Sequence, residues 1–110
     1  MKNSRVFVVA LGIAIFCSFS ACTYRVTQIE LGFASVETGA PERAVIEKLG
    51  SPDVVDTSAA PFVVYASALC SAPCVRRLWW EHPVLKGVEA WSVELGSAGN
   101  VLTKSHWVSP

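Results

Sequence analysis

The hydrophobic pattern changes character near residue 22. Residues 6–16 form an apolar run unbroken by charge, preceded by Lys2 and Arg5 and followed by Ser18-Phe19-Ser20-Ala21-Cys22. A basic start, an apolar run and a small-residue end are the three parts of a secretory signal. The run is too short for a stable membrane span, which takes about 20 residues. Residues 23–31 are expected to be a short tether. Phe33 and Val36, three apart, predict one or two helical turns ending near Gly39.

Pro41 then opens a clearer helix, with Glu42 at the positive end of its dipole and an apolar stripe of Val45, Ile46 and Leu49. Lys48 falls in its last turn, Gly50 suits the position after it, and Pro52 prevents continuation. Residues 53–60 read as a loop. Phe62-Val63-Val64-Tyr65 is strand-like but has no clear place. Residues 76–82 predict a strand, as do residues 89–95, where Trp91, Val93 and Leu95 alternate with Ser92 and Glu94. Gly96-Ser97-Ala98-Gly99-Asn100 is a turn cluster, and residues 101–108 form the last strand. The expected fold is α+β, two short helices packed on a three-stranded antiparallel meander, with one sheet face buried and the other wet. The expected divisions are a signal over 1–21, a lipidated N-terminus and tether over 22–32, and one domain over 33–110.

Length and composition narrow the choices. The chain has 110 residues, and cleavage before Cys22 leaves 89, room for one domain. About half the residues are apolar, as in globular proteins and unlike disordered ones. Without Lys2 and Arg5, seven basic residues face nine acidic ones, so nothing in the charge favours nucleic acid.

The end of the signal carries more information. Ordinary cleavage after Ala21 would put bulky Phe19 where a small residue is needed. Phe19-Ser20-Ala21-Cys22 instead resembles a bacterial lipobox, with Phe in place of the usual Leu. That resemblance implies a diacylglycerol on the Cys22 thiol, palmitate-type acylation and cleavage that leaves Cys22 N-terminal. Cys17, preceded by Ile15 and Phe16, is the poorer candidate. Thr23 rather than Asp follows Cys22, which by enteric sorting rules implies the outer membrane, with the body facing the periplasm.

Cys70 and Cys74 remain, in Cys70-Ser71-Ala72-Pro73-Cys74. In an oxidising compartment a disulfide is expected. Four residues of extended strand span about 13 Å, so a bridge demands a turn, which Pro73 suits. A redox pair, usually Cys-x-x-Cys, and a zinc site recruiting His82 and His106 are the competing readings. Each histidine otherwise reads as a solvated strand residue.

Gly39-Ala40-Pro41-Glu42-Arg43-Ala44-Val45-Ile46-Glu47-Lys48-Leu49-Gly50-Ser51-Pro52, with Trp91-Ser92-Val93-Glu94-Leu95, a glycine-bearing turn and Val101-Leu102, resembles the SmpA/OmlA, or BamE-like, family of small outer-membrane lipoproteins. The shared pattern is a glycine, a short helix carrying a valine, then Gly-x-Pro. Pro41 departs from it, standing where the family often has Ser or Thr, and residues 62–74 have no counterpart. The resemblance implies a non-catalytic accessory or interaction module in envelope assembly or integrity. It also implies, as partners, outer-membrane β-barrel assembly subunits or anionic phospholipid, beside the membrane holding the lipid.

The chain lacks the constellations that catalysis needs. It has no nucleophile elbow and no glycine-rich phosphate loop, and its carboxylates are scattered. No enzyme activity, cofactor or metal is expected. All four tryptophans lie between residues 79 and 107. Adjacent Trp79 and Trp80 send their rings to opposite faces of a strand, as do Arg76 and Arg77 their guanidinium groups. One tryptophan is therefore expected on the wet face, and an arginine beside it would suit a partner or a lipid headgroup. Arg76, Arg77, Trp79 and Trp80 are the candidate partner-binding residues. Two alternatives to the accessory role are a phospholipid or small-ligand binder using the open face, and an inhibitor of a periplasmic enzyme.

Overall fold

The computed structural model describes residues 2–109, apart from the side chains of residues 2–4, 6, 7, 14 and 16–19. The roles read for the side chains of Lys2, Cys17 and Phe19 fall outside the described residues. The fold is α+β: helix α1 (Lys2–Ser35), helix α2 (Glu42–Leu49) and strands β1 (Val54–Asp56), β2 (Arg76–Glu81), β3 (Glu89–Leu95) and β4 (Val101–Val108). The strands form one antiparallel sheet in the order β1-β2-β3-β4.

The meander from β2 to β4 and helix α2 lie where the hydrophobic pattern puts them. Val45 and Leu49 are fully buried, Gly50 caps α2 at φ +83°, and its N–H donates to the Ile46 carbonyl at 2.7 Å. The Trp80 indole N–H donates to the Gly50 carbonyl at 3.0 Å, tying the helix end to the sheet.

Three expectations are corrected. The sheet has four strands, not three, because residues 54–56, read as loop, pair with Trp79, Leu78 and Arg77. Three residues are too few to show a period. The tether is helical: residues 22–32 lie within α1, and Ile29 is fully buried in the core. The cause is a stripe of Val26, Ile29 and Phe33, spaced three and four apart, that joins the core and is continued by Val36 just past the helix end. The carbonyls at the end of α1 are satisfied by two lysines. Lys104 Nζ donates to Phe33 O at 2.6 Å, and Lys48 Nζ to Ser35 O at 3.0 Å.

The third correction concerns the wet face, which is covered. Leu78, Trp80, Trp91, Val93, Leu95 and Val101 face the helices. On the other face Trp79 and Ala90 are buried under Phe62, Tyr65 and Ala66, with Val54 and Trp107 at the margins. The segment between β1 and β2, which had no place in the pattern, is this cover.

Helices α1 and α2 cross at Gly32. A Cβ there would lie 2.5 Å from the Lys48 carbonyl oxygen, which is backbone and cannot swing away. Gly32→Ala is therefore expected to destabilise the domain by about 1–3 kcal/mol, as overpacking does. In an exposed helix the same change stabilises by up to about 1 kcal/mol. Urea unfolding gives the sign, and a gain would mean that α1 does not dock on α2.

Candidate functional site

Cys22 lies on α1, half-buried, with a free thiol. It lines an apolar groove of about 660 Å³, between α1 and the β2–β3 connection, formed by Ile15, Cys22, Thr23, Val26, Thr27, His82, Val84 and Leu85. N-terminal to it, Val8, Val9, Leu11, Ile13 and Ile15 are all exposed. C-terminal to it, packing begins with Val26 and Ile29. Among the described side chains, Cys22 thus lies between a row of exposed apolar residues and the folded domain. Arg25, one turn on, donates to the Leu49 carbonyl and to Gln28, so the docked part of α1 starts within a turn of Cys22.

Cys70 and Cys74 stand at disulfide distance, with Cα atoms 5.3 Å apart, within the span a bridge allows. The turn between them includes a cis Ala72–Pro73 bond, and Cys74 N–H donates to Ser71 O at 2.9 Å. Both cysteines are buried. They lie at the end of the cover segment, where Val75 N–H joins the Leu95 carbonyl.

The four candidate partner-binding residues belong to the interior more than to a free surface. Trp79 and Trp80 do lie on opposite faces, but both are 0% exposed, because each face has its own cover. Arg77 is buried and ion-paired to buried Asp56. Its Nε donates to Oδ2 at 2.9 Å and its terminal nitrogens reach Asp56 Oδ2, Ala68 O and, at 3.8 Å, Glu94. Its guanidinium also lies 5.1 Å from the Trp79 ring centroid. Arg76, partly exposed, is paired with Glu42 at the start of α2. Of the four, Arg76 alone reaches the surface, with a side chain 40% exposed and one terminal nitrogen on Glu42.

The two histidines do local work. His82 Nδ1 accepts from the Val84 and Leu85 amides at 3.1 and 3.0 Å, shaping the connection that follows. His106 stacks on Trp91, with centroids 5.1 Å apart, and contacts Glu89 at 3.3 Å. Tyr65 accepts from the Gly87 amide and donates to Glu81 at 2.7 Å. Burial first, then the bond to Glu81, raises its phenol above the usual range. Among the described residues, no three His, Cys, Asp or Glu side chains come together to hold a metal.

Residues 83–87 read as a connection between two strands from sequence, but the exposure of their apolar side chains was missed. Val84, Leu85 and Val88 are exposed there. The available signal was three large apolar residues in a stretch where turns are normally polar.

Compared with known proteins, the chain matches no family model, no curated protein and no solved structure. Among the described residues, no helix is long and apolar enough to cross a membrane.

Proposed function

We propose that the chain is a bacterial lipoprotein, acylated at Cys22 and held on the outer membrane facing the periplasm. Its domain acts there as a non-catalytic accessory or interaction module in envelope assembly or integrity, of the BamE-like kind. The observation that carries the anchor is Phe19-Ser20-Ala21-Cys22 after a basic start and an uncharged apolar run. Two features support it. An uncovered row of apolar side chains such as Val8, Leu11 and Ile15 is costly in water and suits a segment that the mature protein sheds. The docked part of α1 begins just after Cys22, so cleavage there leaves the core residues in place.

The non-catalytic role rests on the scattered chemistry of the domain and on the resemblance of residues 39–52 and 91–102. It does not rest on the four residues nominated for partner binding, which are engaged internally.

Growth with labelled palmitate tests the anchor. The wild-type protein is expected to take up label and fractionate with outer membranes. Cys22→Ser is expected to take up none and to accumulate as the uncleaved precursor. Equal labelling of both, or none of the wild type, would refute lipidation. Crosslinking in intact cells, followed by purification in mild detergent, tests the role. Barrel-assembly subunits are the expected recovery, and their consistent absence from a fraction rich in the protein would remove that machine as the partner.

A further inference from the structure

We infer that residues 83–88 form a second membrane contact, in which Val84, Leu85 and Val88 seat in the interface of the phospholipid bilayer that holds the Cys22 anchor. The inference rests on the lipidation proposed above and adds an orientation to it. A single-point anchor leaves a domain free to turn on the surface; a second contact fixes which end faces the lipid.

Composition is the first argument. The connection Pro83-Val84-Leu85-Lys86-Gly87-Val88 holds three large apolar residues that are 66%, 47% and 42% exposed. Among the described residues, the rest of the domain leaves about two thirds of Val84 and somewhat under half of Leu85 and Val88 uncovered. Exposed apolar side chains gathered at one place mark a surface that is covered in use.

Location identifies the cover. Val84 and Leu85 share their groove with Cys22 itself. Cleavage before Cys22 removes Ile15 from that groove and leaves Val26, Val84 and Leu85 beside the acylated thiol. Acyl chains attached to Cys22 enter the bilayer, which places these residues at its surface. The apolar area continues around the same end of the sheet: Val64 and Val108, both more than half exposed, line a second hollow with Gly87.

The connection is also built to hold its side chains outward. His82 Nδ1 receives the Val84 and Leu85 amides, the Leu85 carbonyl receives the Val88 and Glu89 amides, and the Tyr65 hydroxyl receives Gly87. Lys86 is the one charge in the stretch. A lysine with a long apolar stem suits the headgroup level, where anionic lipids attract it. The opposite end of the sheet is unlike this one, since its turn is Gly96-Ser97-Ala98-Gly99-Asn100. Strand β3 separates the two ends by about 20 Å.

The test uses full-length protein processed and lipidated in cells, with Leu85→Cys or, as a control at the far end, Ser97→Cys. Each new thiol carries an environment-sensitive fluorophore. The purified lipoprotein is placed in vesicles of phosphatidylethanolamine and phosphatidylglycerol, and Cys22 is checked by mass for its lipid. The expected result is iodide quenching roughly threefold weaker at position 85 than at 97, as interfacial burial requires. Nitroxide-bearing phospholipid should quench the probe at 85 alone. Equal iodide quenching at both positions, on protein whose Cys22 carries lipid, overturns the second contact and leaves the anchor standing. A Cys22 without lipid overturns the anchor and this inference with it.

Discussion

Asp56→Ala is expected to destabilise the domain by about 3–5 kcal/mol, the usual cost of removing one partner of a buried ion pair. Asp56 is 0% exposed and accepts three hydrogen bonds, beside a second ion-pair contact with Arg77. Oδ2 receives two nitrogens of Arg77, at 2.9 and 2.7 Å, and the Trp79 indole N–H at 3.2 Å; Oδ1 receives the Phe62 amide at 3.1 Å. One carboxylate thus joins β1, β2 and the cover segment. Removing it leaves the Arg77 guanidinium buried with only Ala68 O and the more distant Glu94. A domain of this size holds little in reserve, in a range whose lower end is about 5 kcal/mol. Urea unfolding should therefore place Asp56→Ala close to the threshold of folding at 25 °C. Asp56→Leu combined with Arg77→Met removes both charges and should recover part of the loss, because no buried charge is then unpaired. A midpoint unchanged in Asp56→Ala would mean that the pair is open to water.

This carboxylate also shows where the sequence could and could not be read. Helix α2 was legible because each of its ends carries a local signal, Pro41 with Glu42 and Gly50 with Pro52. The β3–β4 hairpin was legible because Trp91, Val93 and Leu95 keep a strict alternation around a glycine-rich turn. These are short-range facts. Asp56 and Arg77 are 21 positions apart, and no local pattern announces that two charged residues will bury each other. Without that pair, residues 53–60 look like a polar loop and the second sheet face looks open. The two errors share one cause.

The length of α1 was missed for a different reason. Val26, Ile29, Phe33 and Val36 keep helical spacing, but Thr23, Thr27 and Gln28 dilute the stripe, and a lipidated cysteine leads one to expect a tether. As for the candidate site, Cys22 is nominated by its motif alone, whereas no local periodicity points to the exposed apolar residues of the connection beside it. Its meaning lies in which end of the sheet it occupies, and that follows only once the register of β2 and β3 is known.

Trp79→Ala tests the cover directly and should cost about 3–5 kcal/mol, as large aromatic truncations in cores do. The Trp79 ring is the floor on which the cover rests. Its centroid lies 5.4 Å from Tyr65, 5.6 Å from Phe62 and 5.8 Å from Trp107, with the Arg77 guanidinium over it. Truncation deletes all of these contacts and frees one acceptor position on Asp56. The loss should be uneven across the molecule. Leu78 and Trp80 point the other way, into the helices, so that core keeps its packing. Native-state hydrogen exchange should then show the Phe62 amide, which donates to Asp56, exchanging far faster in the variant, while amides of α2 and of β3 follow only the global unfolding. Combined with Asp56→Ala the losses should fall short of additive, because the two side chains share a hydrogen bond and a cover. A uniform loss of protection would show instead that the two faces of the sheet unfold as one unit. Wild-type stability in Trp79→Ala would mean that residues 62–66 do not rest on this face, and the sheet would again have a free side on which a partner could bind.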